Sequence, residues 1–141
     1  MNLQPRTLHI KHKKPFLYWL IKLLFPYYDY DKNDIITVGD TIYTKNMPSP
    51  IALWHERVHA HQQKYSKIYF YLVYLWRFTF SREFRMRTEA EAFRAQYTYA
   101  KKAIRDRNKL NQYLFFMIKV FSDPKYKLNI SPKVAREIIT K

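Results

Sequence analysis

His55, Glu56 and His59 stand in the pattern His-Glu-x-x-His, within Trp54-His55-Glu56-Arg57-Val58-His59-Ala60-His61-Gln62-Gln63. On a helix, residues four apart share one face, so the two imidazoles can hold one metal ion. Glu56 then sits beside that face, placed to move a proton to or from a water on the metal. His61 falls about 200° round the helix from His59 and is expected to play no part. Gln62 lies three residues after His59 and seven after His55, on the same face. The chain contains no cysteine, so every ligand must be histidine or carboxylate.

A hydrolytic metal centre needs three protein ligands and one open position. The carboxylates after the motif are Glu83, Glu89, Glu91, Asp106, Asp123 and Glu137. Glu89 and Glu91 fall on one predicted helix but on different faces. Glu89 shares its stripe with Met86, Ala92, Phe93, Gln96, Ala100 and Ala103, which is apolar and mostly small. Glu91 shares its stripe with Arg87, Arg94, Thr98 and Lys101. A carboxylate on a buried stripe must be paired or bind a metal. Glu89 is therefore the expected third ligand and Glu91 a surface charge; the opposing reading pairs both with nearby arginines. Small Ala92 would let the two helices approach closely. From Thr41 through Arg82 the only acidic residue is Glu56.

The elements that must position these groups are marked by their boundaries. Ser49-Pro50 is an N-cap followed by proline at the first helical position, and predicts a helix carrying the motif to about Ser66. Helix is expected to continue or restart through Ile68 to Thr79. Ser81 caps the next helix, Arg82 to about Arg107. Another runs from Leu110 to Phe121, ended by Ser122-Asp123-Pro124, and Ser131-Pro132 opens a last one through about Ile139. Residues 15–25 predict a first helix between Pro15 and Pro26. Ile35 to Val38 and Thr41 to Thr44 flank Gly39-Asp40, the pattern of a hairpin with a type II′ turn. Asp29, Asp31 and Asp34 lack the glycine and terminal glutamate of a calcium loop and predict a solvated turn.

These residues resemble the gluzincin-type zinc metallopeptidases, in particular the small single-domain versions of bacteria and their phages. His55, Glu56, His59, Gln62, Glu89 and Ala92 carry the resemblance, which covers about Ile35 to Ala100. It implies a zincin-like α+β fold, mainly α, with the motif helix packed on a β-hairpin or small sheet and the third ligand on a following helix. It implies Zn2+ on His55, His59 and Glu89, with Glu56 as general base in peptide hydrolysis. It also implies that a peptide or protein substrate lies along an edge strand, here Thr41, Ile42, Tyr43, Thr44 and Lys45. Larger members carry an aspartate four residues after the ligand glutamate; Phe93 stands there in this chain, which leaves support of the imidazoles to Gln96 or Gln62. The oxyanion donor in such sites is usually Tyr or His, and Tyr97 and Tyr99 lie on the ligand helix.

With 141 residues, one domain is expected, and a single glycine excludes glycine-rich phosphate loops. The 13 Tyr and 10 Phe exclude a disordered basic tail in spite of a net charge of +15. That charge would suit a polyanion partner, nucleic acid, anionic lipid or a cell-wall polymer, but the preferred reading is that aromatics fill a helical core and the bases form solvated faces. Residues 1–14 form a basic arm, expected to be extended. The apolar run after it is too short and wrongly flanked for a signal peptide, and Ile68 to Phe80 is too short to span a bilayer. A cytoplasmic or virion-associated location is therefore expected. The competing functional reading is a non-catalytic basic protein, structural or nucleic-acid-binding, such as a phage component that retains a zincin framework.

Overall fold

The computed structural model describes residues 7–26, 28–32, 34–63 and 68–141. The chain is α+β and mainly helical, as expected: a strand β1 (His9–Lys11), helix α1 (Tyr18–Leu24), strands β2 (Ile36–Val38) and β3 (Thr41–Tyr43), then helices α2 (Pro50–Gln62), α3 (Ile68–Phe80), α4 (Arg82–Ala103), α5 (Arg107–Phe121) and α6 (Pro132–Thr140).

The sequence-marked caps form. Ser49 accepts a hydrogen bond from the Ala52 amide, Ser81 from Phe84 and Ser131 from Val134, each 3.2–3.3 Å long. The expected end of the motif helix at Ser66 lies outside the described residues. The long helix expected to reach Arg107 ends instead at Ala103. Ile104 turns extended, and Asp106 caps α5 by accepting from Lys109, so α5 starts at Arg107 rather than Leu110.

Antiparallel β2 and β3 form the expected hairpin, with Val38 opposite Thr41. Gly39 takes a φ of +58°, which a side chain would strain, and Asp40 keeps a negative φ, the type II′ pattern. The sheet has a third member. Strand β1 pairs in parallel with β3, His9 opposite Thr41, giving the order β1-β3-β2. Part of the expected arm is thus built into the sheet, while residues 1–6 lie outside the described residues. Strand β3 is paired on both sides and is not an edge of the sheet, whereas an edge strand was expected over Thr41–Lys45. The edge beside the helices belongs to β2.

Helix α4 touches α2, α3, α5 and α6. One side carries Ala90 and Phe93 into a core with Leu114, Met117, Phe121, Leu128 and Ile139. Ala92 is fully buried on α4, the helix that packs against α2. Asp29, Asp31 and Asp34 form a self-bonded turn held by lysines: Asp34 accepts from the Asp29 amide, Lys125 and Lys14 reach Asp34 and Asp31, and Lys32 lies 3.9 Å from Asp29.

Candidate metal centre

The cap at Ser49 and proline at the first helical position place His55 and His59 one turn apart on α2, facing α4. Their Nε2 atoms are 3.0 Å apart. Glu89 Oε2, on α4, lies 3.6 Å from His55 Nε2 and 3.7 Å from His59 Nε2. Ligand atoms about 2.0–2.1 Å from a tetrahedral ion lie about 3.3 Å from one another, so the three atoms bracket that spacing. Glu89 is 2% exposed, and its Oε2 accepts no hydrogen bond among the described residues. A buried carboxylate oxygen left without a donor is costly, and a cation between the three atoms removes that cost. His55, His59 and Glu89 form a group that could hold a metal ion.

Both imidazoles are held from behind. His55 Nδ1 donates to Gln96 Oε1 at 2.9 Å, and His59 Nδ1 to Gln62 Oε1 at 3.0 Å. With Nδ1 protonated, a neutral ring presents its Nε2 lone pair to the ion. The amides are themselves oriented. Gln96 Nε2 donates to the Tyr113 hydroxyl at 2.7 Å, and Gln62 Nε2 to Thr88 O and Glu91 Oε2 at 3.0 and 2.9 Å. Gln62 and Gln96 thus lie behind the two imidazoles. Phe93, where larger members carry aspartate, packs edge-on against His55, ring centroids 4.7 Å apart. Glu91 is corrected from a surface charge to a half-buried acceptor that fixes Gln62.

Electrostatics follow from burial and this pairing. Burial favours neutral His59, but the Glu89 carboxylate, with Glu56 and the Gln62 hydrogen bond, outweighs it and raises the pKa to about 9. Burial likewise opposes charge on Glu89; the neighbouring imidazoles, His59 foremost, win and lower its pKa to about 2. These are two faces of one ion pair.

Glu56 is buried beside the centre, and Thr37 Oγ1 of β2 donates to its Oε2 at 2.6 Å. The outer edge of β2 is partly covered by Gln63, which donates to Thr37 O and accepts from the Gly39 amide. A cavity of about 340 Å³ opens onto Glu56 and all three candidate ligands, and is otherwise walled mainly by apolar and aromatic side chains of α1, α3 and α5. Tyr28, Tyr74 and Tyr126 also line it. Burial raises all three phenols, Tyr28 and Tyr126 well above their ordinary value, so they stay protonated donors. Tyr97 and Tyr99 do not line the cavity: Tyr97 packs on the helical core, and Tyr99 stacks on Trp54 with centroids 5.0 Å apart. Thr37, Tyr28, Tyr126 and Tyr113 carried no sequence signal; for tyrosine, 13 candidates without a spacing rule hid the relevant ones.

Comparison with family models, curated proteins and solved structures returned no match.

Proposed function

We propose that this chain is a small zinc-dependent peptidase of gluzincin type, with Zn2+ on His55, His59 and Glu89 and a peptide or protein as substrate. The observation that carries the reading is the buried, donor-free Glu89 oxygen facing two imidazoles whose Nδ1 protons are already committed to Gln96 and Gln62. The residues fit the metal in number, chemistry and spacing, and the cavity opens onto all three. Bound there, the ion would supply Lewis acidity toward a carbonyl and lower the pKa of a water. Glu56 takes the proton from the attacking water and passes it to the departing amine; the Thr37 hydroxyl fixes one carboxylate oxygen and leaves the other for the reaction. Tyr28 and Tyr126, neutral phenols in the cavity wall, are the candidates to donate to the developing oxyanion. The partly covered β2 edge leaves the cavity, rather than strand addition, as the main route for substrate.

Metal analysis of the purified protein beside His59→Ala and Glu89→Ala tests the centre. About one zinc per chain is expected, lost in both variants. Absence of zinc from the unmutated protein at neutral pH with zinc supplied sinks the reading. Glu56→Gln should keep its zinc and lose cleavage of a fluorogenic peptide library by about 10²-fold or more. Full zinc occupancy with no cleavage by the unmutated protein would favour the non-catalytic, polyanion-binding alternative.

A further inference from the structure

Helices α1 and α3 turn one side to the cavity: Ile21 of α1 with Phe25 just after it, and Tyr74, Leu75 and Phe78 from α3. Phe25 and Phe78 meet with centroids 5.5 Å apart. At about 100° per residue, the positions facing the other way are Phe16, Trp19 and Leu23 before and along α1, and Leu72, Trp76 and Phe80 along α3. A helix exterior should be polar there. Instead Trp19 is 66% exposed, Leu23 71%, Trp76 65% and Phe80 62%. Both helices are therefore apolar on their covered and their bare sides, which marks a surface that rests against something.

Charge decides among the possible occupants. Neither helix contains a carboxylate; their only charged residues are Lys22 and Arg77. Exposed Lys13 precedes α1 beside Lys14, which is paired with Asp31, and exposed Arg82 and Glu83 follow α3. A second copy of this chain would bring +15 against +15. Nucleic acid would satisfy the cations but leave the indoles and leucines in water. An anionic bilayer answers both: its headgroups meet the cations, and its interface accepts tryptophan, whose ring is apolar with one polar edge. Among the described residues no helix is long and apolar enough to cross a membrane, so an interfacial contact is the one that fits.

We propose that the outer faces of α1 and α3 dock this protein on an anionic lipid surface, with Trp19 and Trp76 at the boundary between headgroups and acyl chains. The inference does not depend on the metal reading, since it uses none of the candidate ligands. If both hold, the cavity lies behind a membrane-facing helix layer.

The full chain is mixed with vesicles of phosphatidylcholine alone or with phosphatidylglycerol added, at fixed salt. Binding about tenfold or more tighter to the anionic vesicles is expected. Brominated acyl chains should quench Trp19 and Trp76; the variant carrying both Trp19→Phe and Trp76→Phe keeps only Trp54, on α2 against Tyr99, and should lose that quenching. Trp19→Glu and Trp76→Glu alter exposed positions, leave the core intact and should each weaken binding about tenfold. Three outcomes overturn the proposal: no binding to anionic vesicles; binding without tryptophan quenching, which is adsorption by charge alone; or a concentration-dependent dimer abolished by the same glutamate variants, which makes the face a contact between copies. Tighter binding to duplex DNA, indifferent to those variants, would overturn it as well.

Discussion

Two amides stand behind the candidate ligands where a carboxylate could have stood. Gln96→Leu and Gln62→Leu each remove an acceptor from an Nδ1 proton and leave the other side of the ring unchanged. Each should weaken zinc binding by about 10–100-fold in competition with a chromophoric chelator, with the far-ultraviolet dichroism unaltered. The His59–Glu89 pair sets a pH dependence whose sign can be worked out. His59 is raised from 6.5 to about 9, so its contribution to the stability of the metal-free protein is complete below about 6.5 and fades as pH rises through 9. Glu89 is lowered from 4.5 to about 2, so its share is complete above about 4.5 and is lost as pH falls toward 2. Thermal melts of metal-free protein should therefore fall from pH 6 to pH 9, whereas the extra stabilisation by added zinc should grow over that range as the competing proton leaves. Of this site, His55, Glu56, His59, Glu89, Gln62 and Gln96 were legible in the sequence, because helical spacing puts each on a definite face. Thr37, Tyr113 and Tyr28 were not, because tertiary packing alone brings them there. Glu91 was misjudged because a half-buried acceptor and a solvated charge share the same stripe.

At the scale of elements, the helix starts were legible because Ser49, Ser81 and Ser131 use the same chemistry, a hydroxyl accepting an otherwise orphaned amide. Ser81→Ala should cost about 1 kcal/mol in urea unfolding, with little change in the slope of the transition. A larger loss is expected at Arg85, which is 6% exposed. Its guanidinium donates to Phe78 O, Thr79 O, Tyr126 O and Lys127 O at 2.6–3.3 Å, tying the end of α3 to the turn after α5. Arg85→Met fills the space but strands those carbonyls, and should cost about 3 kcal/mol or more by the same measurement. Two element features were not legible. Strand β1 is three residues long and mostly exposed, with no apolar alternation to announce it; its pairing with β3 is made by distant chain. The break between α4 and α5 has neither glycine nor proline, and Asp106 as a cap is visible only once the helix on either side is known to stop.

For the molecule as a whole, the helical core of α4, α5 and α6 and the candidate centre meet on α4: Phe93 belongs to the core and packs against His55, and Gln96 joins His55 to Tyr113 of α5. Zinc held at about 100 times its dissociation constant should add about 2.7 kcal/mol, which for a chain of this size raises the melting temperature by roughly 10 °C, reversed by a chelator. The positive charge and the bare faces of α1 and α3 belong to this scale too: the total charge was plain in the composition, but which apolar residues stay uncovered depends on what α1 and α3 pack against. His59 and Glu89 bracket the whole of α3 in sequence, so an ion held between them would close a loop through that helix, a reversible cross-link that would shorten the chain's free contour. Metal supply would then bear on α3, and with it on one wall of the cavity.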